Sequence, residues 1–206
     1  RSSDPTVAFP NPEEPGATDA LLRTAERVGA GIAIALDPDA DRCAVGIPTD
    51  TGWRMLSGDE TGWLLGDFIL ARLGRPAATG AVVASSVVSS QLLAAIAADH
   101  GARHVQTLTG FKWLARADDG IPGARLVYAY EEAIGHCVDP ETVRDKDGIS
   151  AAVLACDLVS GLGARGSSVP AALDELARRH GVHTTAAVSR AAASPDEAAA
   201  VMARLR

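Results

Sequence analysis

The stretch Gly31-Ile-Ala-Ile-Ala-Leu-Asp-Pro-Asp-Ala-Asp-Arg42 joins a short, unbroken apolar run to three carboxylates at alternate positions. A run of this kind, ended by an acidic loop, reads as a strand buried on both faces of an α/β sheet. On an extended backbone Asp37, Asp39 and Asp41 then point to one side. Two carboxylates about 4 Å apart repel by roughly 4 kcal/mol at an effective dielectric near 20, so three together require a cation or protons. All-oxygen ligands select a hard ion, Mg²⁺ or Ca²⁺, over zinc. An EF-hand starting at Asp37 would need Gly at its sixth position and Glu at its twelfth, where the chain has Arg42 and Pro48. The spacing favours Mg²⁺, with coordination places left for a substrate phosphate and Arg42 beside it to hold a phosphate oxygen. The plainer alternative is a solvated acidic turn that Asp37 caps locally.

Outward from this loop the pattern alternates between helical and extended segments. Residues 18–30 predict a helix with Leu21, Leu22, Ala25 and Val28 on its apolar face, stopped by Gly29 to Gly31. After the loop, 43–47 returns as a strand. Strands are predicted at 53–56, 81–84, 104–107 and 126–130, and helices at 59–73, 90–100, 110–117 and 147–161. Such alternation predicts an α/β architecture, a mixed sheet flanked by helices. The Gly- and Ser-rich stretch 161–168 marks a boundary, followed by a helix at 170–180, a strand at 183–188 and a helix opened by Ser194-Pro-Asp-Glu197.

Composition limits the functions available. Nineteen Lys and Arg against 26 Asp and Glu give a net charge of −7, and no basic run exists to track phosphates, so neither nucleic acid nor an anionic membrane is an expected partner. No apolar stretch approaches the roughly 20 residues of a spanning helix, and the first residues do not read as a secretory signal. Cys43, Cys137 and Cys156 are odd in number and unpaired in spacing, which suits a reducing, cytoplasmic setting.

Four ordered segments, Asp37-Pro-Asp-Ala-Asp-Arg42, Thr109-Gly-Phe-Lys-Trp113, Tyr130-Glu-Glu-Ala-Ile-Gly-His136 and Asp145-Lys-Asp-Gly-Ile149, together resemble the α-D-phosphohexomutase superfamily of phosphoglucomutases and phosphomannomutases, over about Phe9 to Ala164. The DPDADR spelling is similar to the branch that includes phosphopentomutase and glucose-1,6-bisphosphate synthase. The resemblance implies partial neighbouring domains around a third domain: 1–48 as the end of domain two with the metal loop, 49–165 as domain three with the sugar-binding loop, and 166–206 as a linker and the start of domain four. It implies Mg²⁺ held by Asp37, Asp39 and Asp41, with Arg42 as a catalytic residue that stabilises the moving phosphoryl group. Glu131 would bind sugar hydroxyls with Glu132 assisting, and His136 would bind phosphate or shuttle a proton. Tyr130 and Ala133 stand where the family often has Gly and Ser, which leaves sugar preference open. The family's TASHNP-like phosphoserine segment and RxSGTEP-like phosphate loop are not in this sequence. The expectation is therefore a fragment of a phosphosugar mutase that cannot turn over alone, whose partners are a phosphosugar and domains one and four of the same polypeptide. A glucose-1,6-bisphosphate-type activator is implied for the full-length enzyme.

Other segments have readings of their own. Lys112, near a predicted helix start, would hold the phosphate that is not reacting, or be a solvated lysine between core residues Phe111 and Trp113. Asp145 to Asp147 read best as a charged turn with a helix cap, and Ser85, Ser86, Ser89 and Ser90 as capping residues. Two other functions compete. In a haloacid-dehalogenase-type phosphatase Asp37 would be the nucleophile and Asp39 the acid/base, with Asp118-Asp119 as a later acidic pair. The non-enzymatic option is a module that only binds Mg²⁺ or a phosphosugar.

Overall fold

The computed structural model describes residues 11–186 and 192–205. Helix α1 (Asp19–Val28) ends at Gly29, whose φ of 64° lets the chain reverse. Of the predicted apolar face only Ala25 is buried, and Val28 is 66% exposed. Strand β1 (Ala33–Leu36) pairs antiparallel with β2 (Cys43–Thr49), which pairs antiparallel with β3 (Gly52–Met55). The prediction of a strand buried on both faces is corrected here: β1 is the edge of a three-stranded sheet, and Leu36 is 38% exposed.

Helix α2 (Gly58–Ala78) opens with a reciprocal capping box, the Ser57 hydroxyl accepting from the Glu60 N–H and the Glu60 carboxylate from the Ser57 N–H. It breaks at Gly74, where φ is +70°, next to the predicted end at residue 73. Strand β4 (Ala81–Ser86) is buried along its whole length because it is central. It lies parallel to β5 (Arg103–Thr107) on one side and to β6 (Arg125–Glu131) on the other, and β7 (Gly135–Cys137) closes the sheet antiparallel to β6. A three-residue strand such as β7 has too few residues to show a period, and none was predicted there.

Helices cover both faces of this mixed sheet. On one, Val83, Tyr128 and Tyr130 meet Leu64, Leu65 and Leu93 from α2 and from α3 (Leu92–His100); on the other, Val82, Ala84 and Ala129 meet Phe111 and Leu114 of α4 (Phe111–Leu114). Helix α5 (Gly148–Ala164) links the two sheets, since Ala155 and Leu158 share a core with Val45 and Ile47 of β2. Helix α6 (Val169–His180) adds Val169 and Leu176 to that same core. Helix α6, just past the expected boundary at 166, packs with α2 and α3. Residues 183–186 form no strand, while 187–188 of that predicted strand, and Phe9 where the resemblance begins, lie outside the described residues. Helix α7 (Pro195–Leu205) starts where Ser194 accepts from the Glu197 N–H, as its cap signature predicts. Among the described residues no single helix is long and apolar enough to cross a membrane. The apolar pair α5 and α6 bends by 89° and contributes to the core.

Candidate functional site

The acidic loop is a turn, not the extended segment predicted. The Ala40 N–H donates to the Asp37 carbonyl, and Ala40 takes a φ of +60°, a left-handed conformation that costs a non-glycine residue about 1 kcal/mol or more. The turn nevertheless does what alternation was expected to do. One oxygen from each of Asp37, Asp39 and Asp41 lies within 4.8 Å of the others. Oxygens sharing one Mg²⁺ at about 2.1 Å lie about 3 Å apart when adjacent and about 4.2 Å apart when opposite, so the three side chains would have to draw closer to share such an ion. An all-carboxylate donor set of this kind fits a hard divalent cation.

Internal cations already balance two of the three. Arg42 donates from Nε to Asp37 at 2.8 Å and from its backbone N–H at 3.1 Å, and its Nη1 lies 3.3 Å from Glu13. Burial works to raise the Asp37 carboxyl, but the Arg42 hydrogen bonds and charge outweigh it and hold Asp37 below the ordinary carboxylate range. Lys146 pairs with Asp41; burial works to lower its ammonium, and Asp41 more than reverses this and raises it. Lys146, read from sequence as part of a charged turn, thus belongs to the site. Its neighbour Asp147 is the α5 cap that the sequence predicts, accepting from the Ile149 N–H. The signal available for Lys146 was its place one residue before that cap, where a side chain is free to turn back across the helix end.

Two backbone contacts join this loop to the acidic hairpin. The Cys43 N–H donates to the Ile134 carbonyl at 3.0 Å, and Arg42 pairs with Gly135 as an isolated antiparallel bridge. Ile134 holds a φ of +55°, an outlier for a β-branched residue. Gly148 completes the join: its N–H donates to the Ala40 carbonyl at 3.0 Å, and a Cβ there would sit 2.6 Å from the Arg42 carbonyl oxygen.

The carboxyl ends of parallel strands are where α/β sheets gather ligand groups, and Glu131 and Glu132 emerge there. They face different supports. Glu131 accepts from the Gly110 N–H at 2.6 Å, and Gly110 needs its glycine for a φ of +109°. Glu132 accepts from Ser86 at 2.9 Å and Ser89 at 2.8 Å, and lines a cleft of about 870 Å³ together with Glu13, Ser57, Asp59 and Ile134. Burial pushes the Glu13 carboxyl up against the pull of Arg42, with Glu132 and Glu14 adding to the rise. Buried Asp59 anchors the cleft wall, accepting from Tyr130 at 2.8 Å, from the Ser90 N–H at 2.8 Å and from Thr185 at 2.6 Å.

His136 is a correction. It is fully buried in β7, its ring stacked on those of Tyr128 and Tyr130 at 6.5 and 6.2 Å, with the Tyr128 hydroxyl 3.1 Å from Nδ1. Burial drives it down to about 3, so it is neutral and reaches no phosphate. Antiparallel pairing with β6 sets it on the face of the sheet that carries Tyr128 and Tyr130, a placement that a three-residue strand does not announce in the sequence. Lys112 is exposed on α4, its ammonium 5.4 Å from the Trp113 ring, and Trp113 is 47% exposed where the core was expected. Asp118, part of the acidic pair a dehalogenase-type site would need, accepts from the Leu126 N–H and pairs with Arg144.

Known proteins resemble the chain as a whole. The phosphoglucomutase/phosphomannomutase α/β/α domain III model matches residues 57–186, and the domain II model matches 2–50. The chain is 42% identical to human phosphopentomutase over 192 residues, 89% of this chain and 31% of that protein. It is 39% identical to a Haemophilus influenzae protein named as a probable phosphomannomutase, over 98% of this chain and 40% of that one, and 35% identical to mouse glucose 1,6-bisphosphate synthase. The chain thus spans about 30–40% of the length of these relatives. A phosphoglucomutase/phosphomannomutase family structure from Burkholderia thailandensis shares the fold, with a TM-score of 0.60 at 23% identity over 81% of this chain and 33% of the other. With domain III matched across most of the chain and the acidic turn and paired glutamates gathered at one end of its sheets, the chain belongs to the phosphoglucomutase/phosphomannomutase family.

Proposed function

We propose that this chain supplies the cation-binding and sugar-binding parts of a phosphosugar mutase, an intramolecular phosphotransferase that moves a phosphoryl group between the 1 and 6, or 1 and 5, oxygens of a sugar. The observation that carries this reading is the convergence of Asp37, Asp39 and Asp41 on one turn that is bonded through Cys43 and Arg42 to the hairpin bearing Glu131 and Glu132. The three aspartates would hold Mg²⁺, which when bound neutralises charge on a transferring phosphoryl group. Arg42, anchored on Asp37, would present its remaining guanidinium N–H groups to phosphate oxygens. Glu131 and Glu132 would accept hydrogen bonds from sugar hydroxyls and set the ring's orientation, and Lys112 would meet the phosphate that stays in place. The phosphoserine donor and a further phosphate-binding loop would come from domains one and four of a longer polypeptide, and the free cysteines fit work in a reducing cytoplasm.

Calorimetric titration of the chain with Mg²⁺ tests the metal site. Asp37→Asn, Asp39→Asn and Asp41→Asn should each weaken binding, by tenfold for each ~1.4 kcal/mol of attraction lost. Indifference to all three excludes the site. With glucose 1-phosphate and catalytic glucose 1,6-bisphosphate, the chain alone should show no mutase turnover; robust turnover would overturn its reading as part of the machinery.

A further inference from the structure

Three carboxylates around the site, Asp37, Asp41 and Glu13, each have a cationic partner. Glu132 is held differently, by two neutral hydroxyls more than 40 residues away in sequence. Ser86, the last residue of β4, and Ser89, in the turn that follows, lie 2.9 and 2.8 Å from its Oε2 and 2.7 Å from each other, so their two hydroxyl protons are shared over a three-oxygen cluster. Ser89 also accepts from the Glu132 backbone N–H at 3.1 Å, so one hydroxyl grips both ends of the residue. Both serines are buried, at 0% and 5% exposure, whereas Ser90 accepts from the N–H of Leu92, the first residue of α3.

We propose that Ser86 and Ser89 are positioning residues that fix the Glu132 carboxylate for sugar recognition. This rests on the reading of Glu132 as a sugar-facing acceptor. Both serine hydroxyls lie against Oε2, which anchors that oxygen of the carboxylate. Oε1 accepts no hydrogen bond among the described residues, so its two sites remain for hydroxyls of the ligand. Neutral donors leave the full negative charge in place, which a cationic partner would not, and charge-assisted hydrogen bonds to hydroxyls are the stronger for it. The arrangement lets Glu132 meet a pair of neighbouring sugar hydroxyls through one oxygen whose direction is set before the ligand arrives.

The test uses two readouts on the 206-residue chain. Without ligand, NMR relaxation of the Glu132 Cγ methylene should show an ordered side chain that becomes mobile in Ser86→Ala/Ser89→Ala. With ligand, calorimetry with glucose 1,6-bisphosphate and Mg²⁺ should show the dissociation constant rising about tenfold in that double variant, while Ser89→Thr, which keeps the hydroxyl, stays within about twofold. In a Glu132→Ala background the serine changes should have no further effect, because nothing remains for them to position. Should the double variant not fold, Ser89→Ala alone supplies both readouts. An unchanged Glu132 order in a folded variant, or a serine effect undiminished without Glu132, overturns the proposal. If the unaltered chain binds no bisphosphate, the sugar-binding reading fails, and the relaxation data still decide whether the serines hold the side chain.

Discussion

His136 ties stability to pH through its neutrality. Burial lowers it to about 3 in the folded chain, against about 6.5 when unfolded, so the unfolded state binds the proton first. Its contribution is whole above pH 6.5 and is lost as pH falls from there toward 3, at about 1.4 kcal/mol per unit. His104 is lowered by burial as well and acts in the same direction. His136→Phe keeps a ring between the tyrosines and removes the proton, so the fall in unfolding free energy between pH 6.5 and 4 should become shallower by one proton; an unchanged slope would contradict the assignment. Gly148 offers a second test at this scale. A Cβ there meets the carbonyls of Ala40 and Arg42 at 2.7 and 2.6 Å, both backbone, so neither can rotate away. Gly148→Ala should cost about 1–3 kcal/mol by chemical denaturation and weaken Mg²⁺ binding, because relief comes only by moving the acidic turn. That the three aspartates lie close together was legible because alternate positions in one short loop keep their side chains near one another. His136, Lys146 and the Ser86/Ser89 pair were not, because which way each side chain turns depends on a strand or helix end defined by tertiary pairing.

Helix α2 shows how local signals and packing combine. Ser57 and Glu60 satisfy each other's N–H groups, and Arg54 holds Glu60 with two bonds of 2.8 Å, so the helix start is tied to β3 as well. Burial works to raise Glu60, and Arg54 with the Ser57 N–H outweighs it and lowers it. Ser57→Ala should cost about 1 kcal/mol, read as a fall in the thermal midpoint, with Ser57→Asp recovering most of it. The long helices α2 and α5 follow sequence signals closely, since a cap residue followed by a long apolar-patterned run marks both the start and the type of the element. β1 did not, because an unbroken apolar run looks the same whether a strand is central or at an edge. What differs is its partners, and those lie elsewhere in the chain.

At the scale of the whole molecule, one core runs through elements that the sequence assigns to three different domains. Cys43, Val45 and Ile47 of β2, Leu158 and Leu162 of α5, and Val169 and Leu176 of α6 belong to one cluster with α2, α3 and the tyrosines of β6. Leu176→Ala should therefore destabilise the molecule by about 2–5 kcal/mol and move a single unfolding transition. A separate early transition for the carboxyl-terminal part, with the rest unmoved, would show α6 to be independent. The same continuity bears on how the two acidic loops behave. The Cys43–Ile134 hydrogen bond and the Arg42–Gly135 bridge tie the aspartate turn to the glutamate hairpin, so parting the two breaks both, and a ligand that spanned them would meet a spacing set by the protein rather than by chance collision.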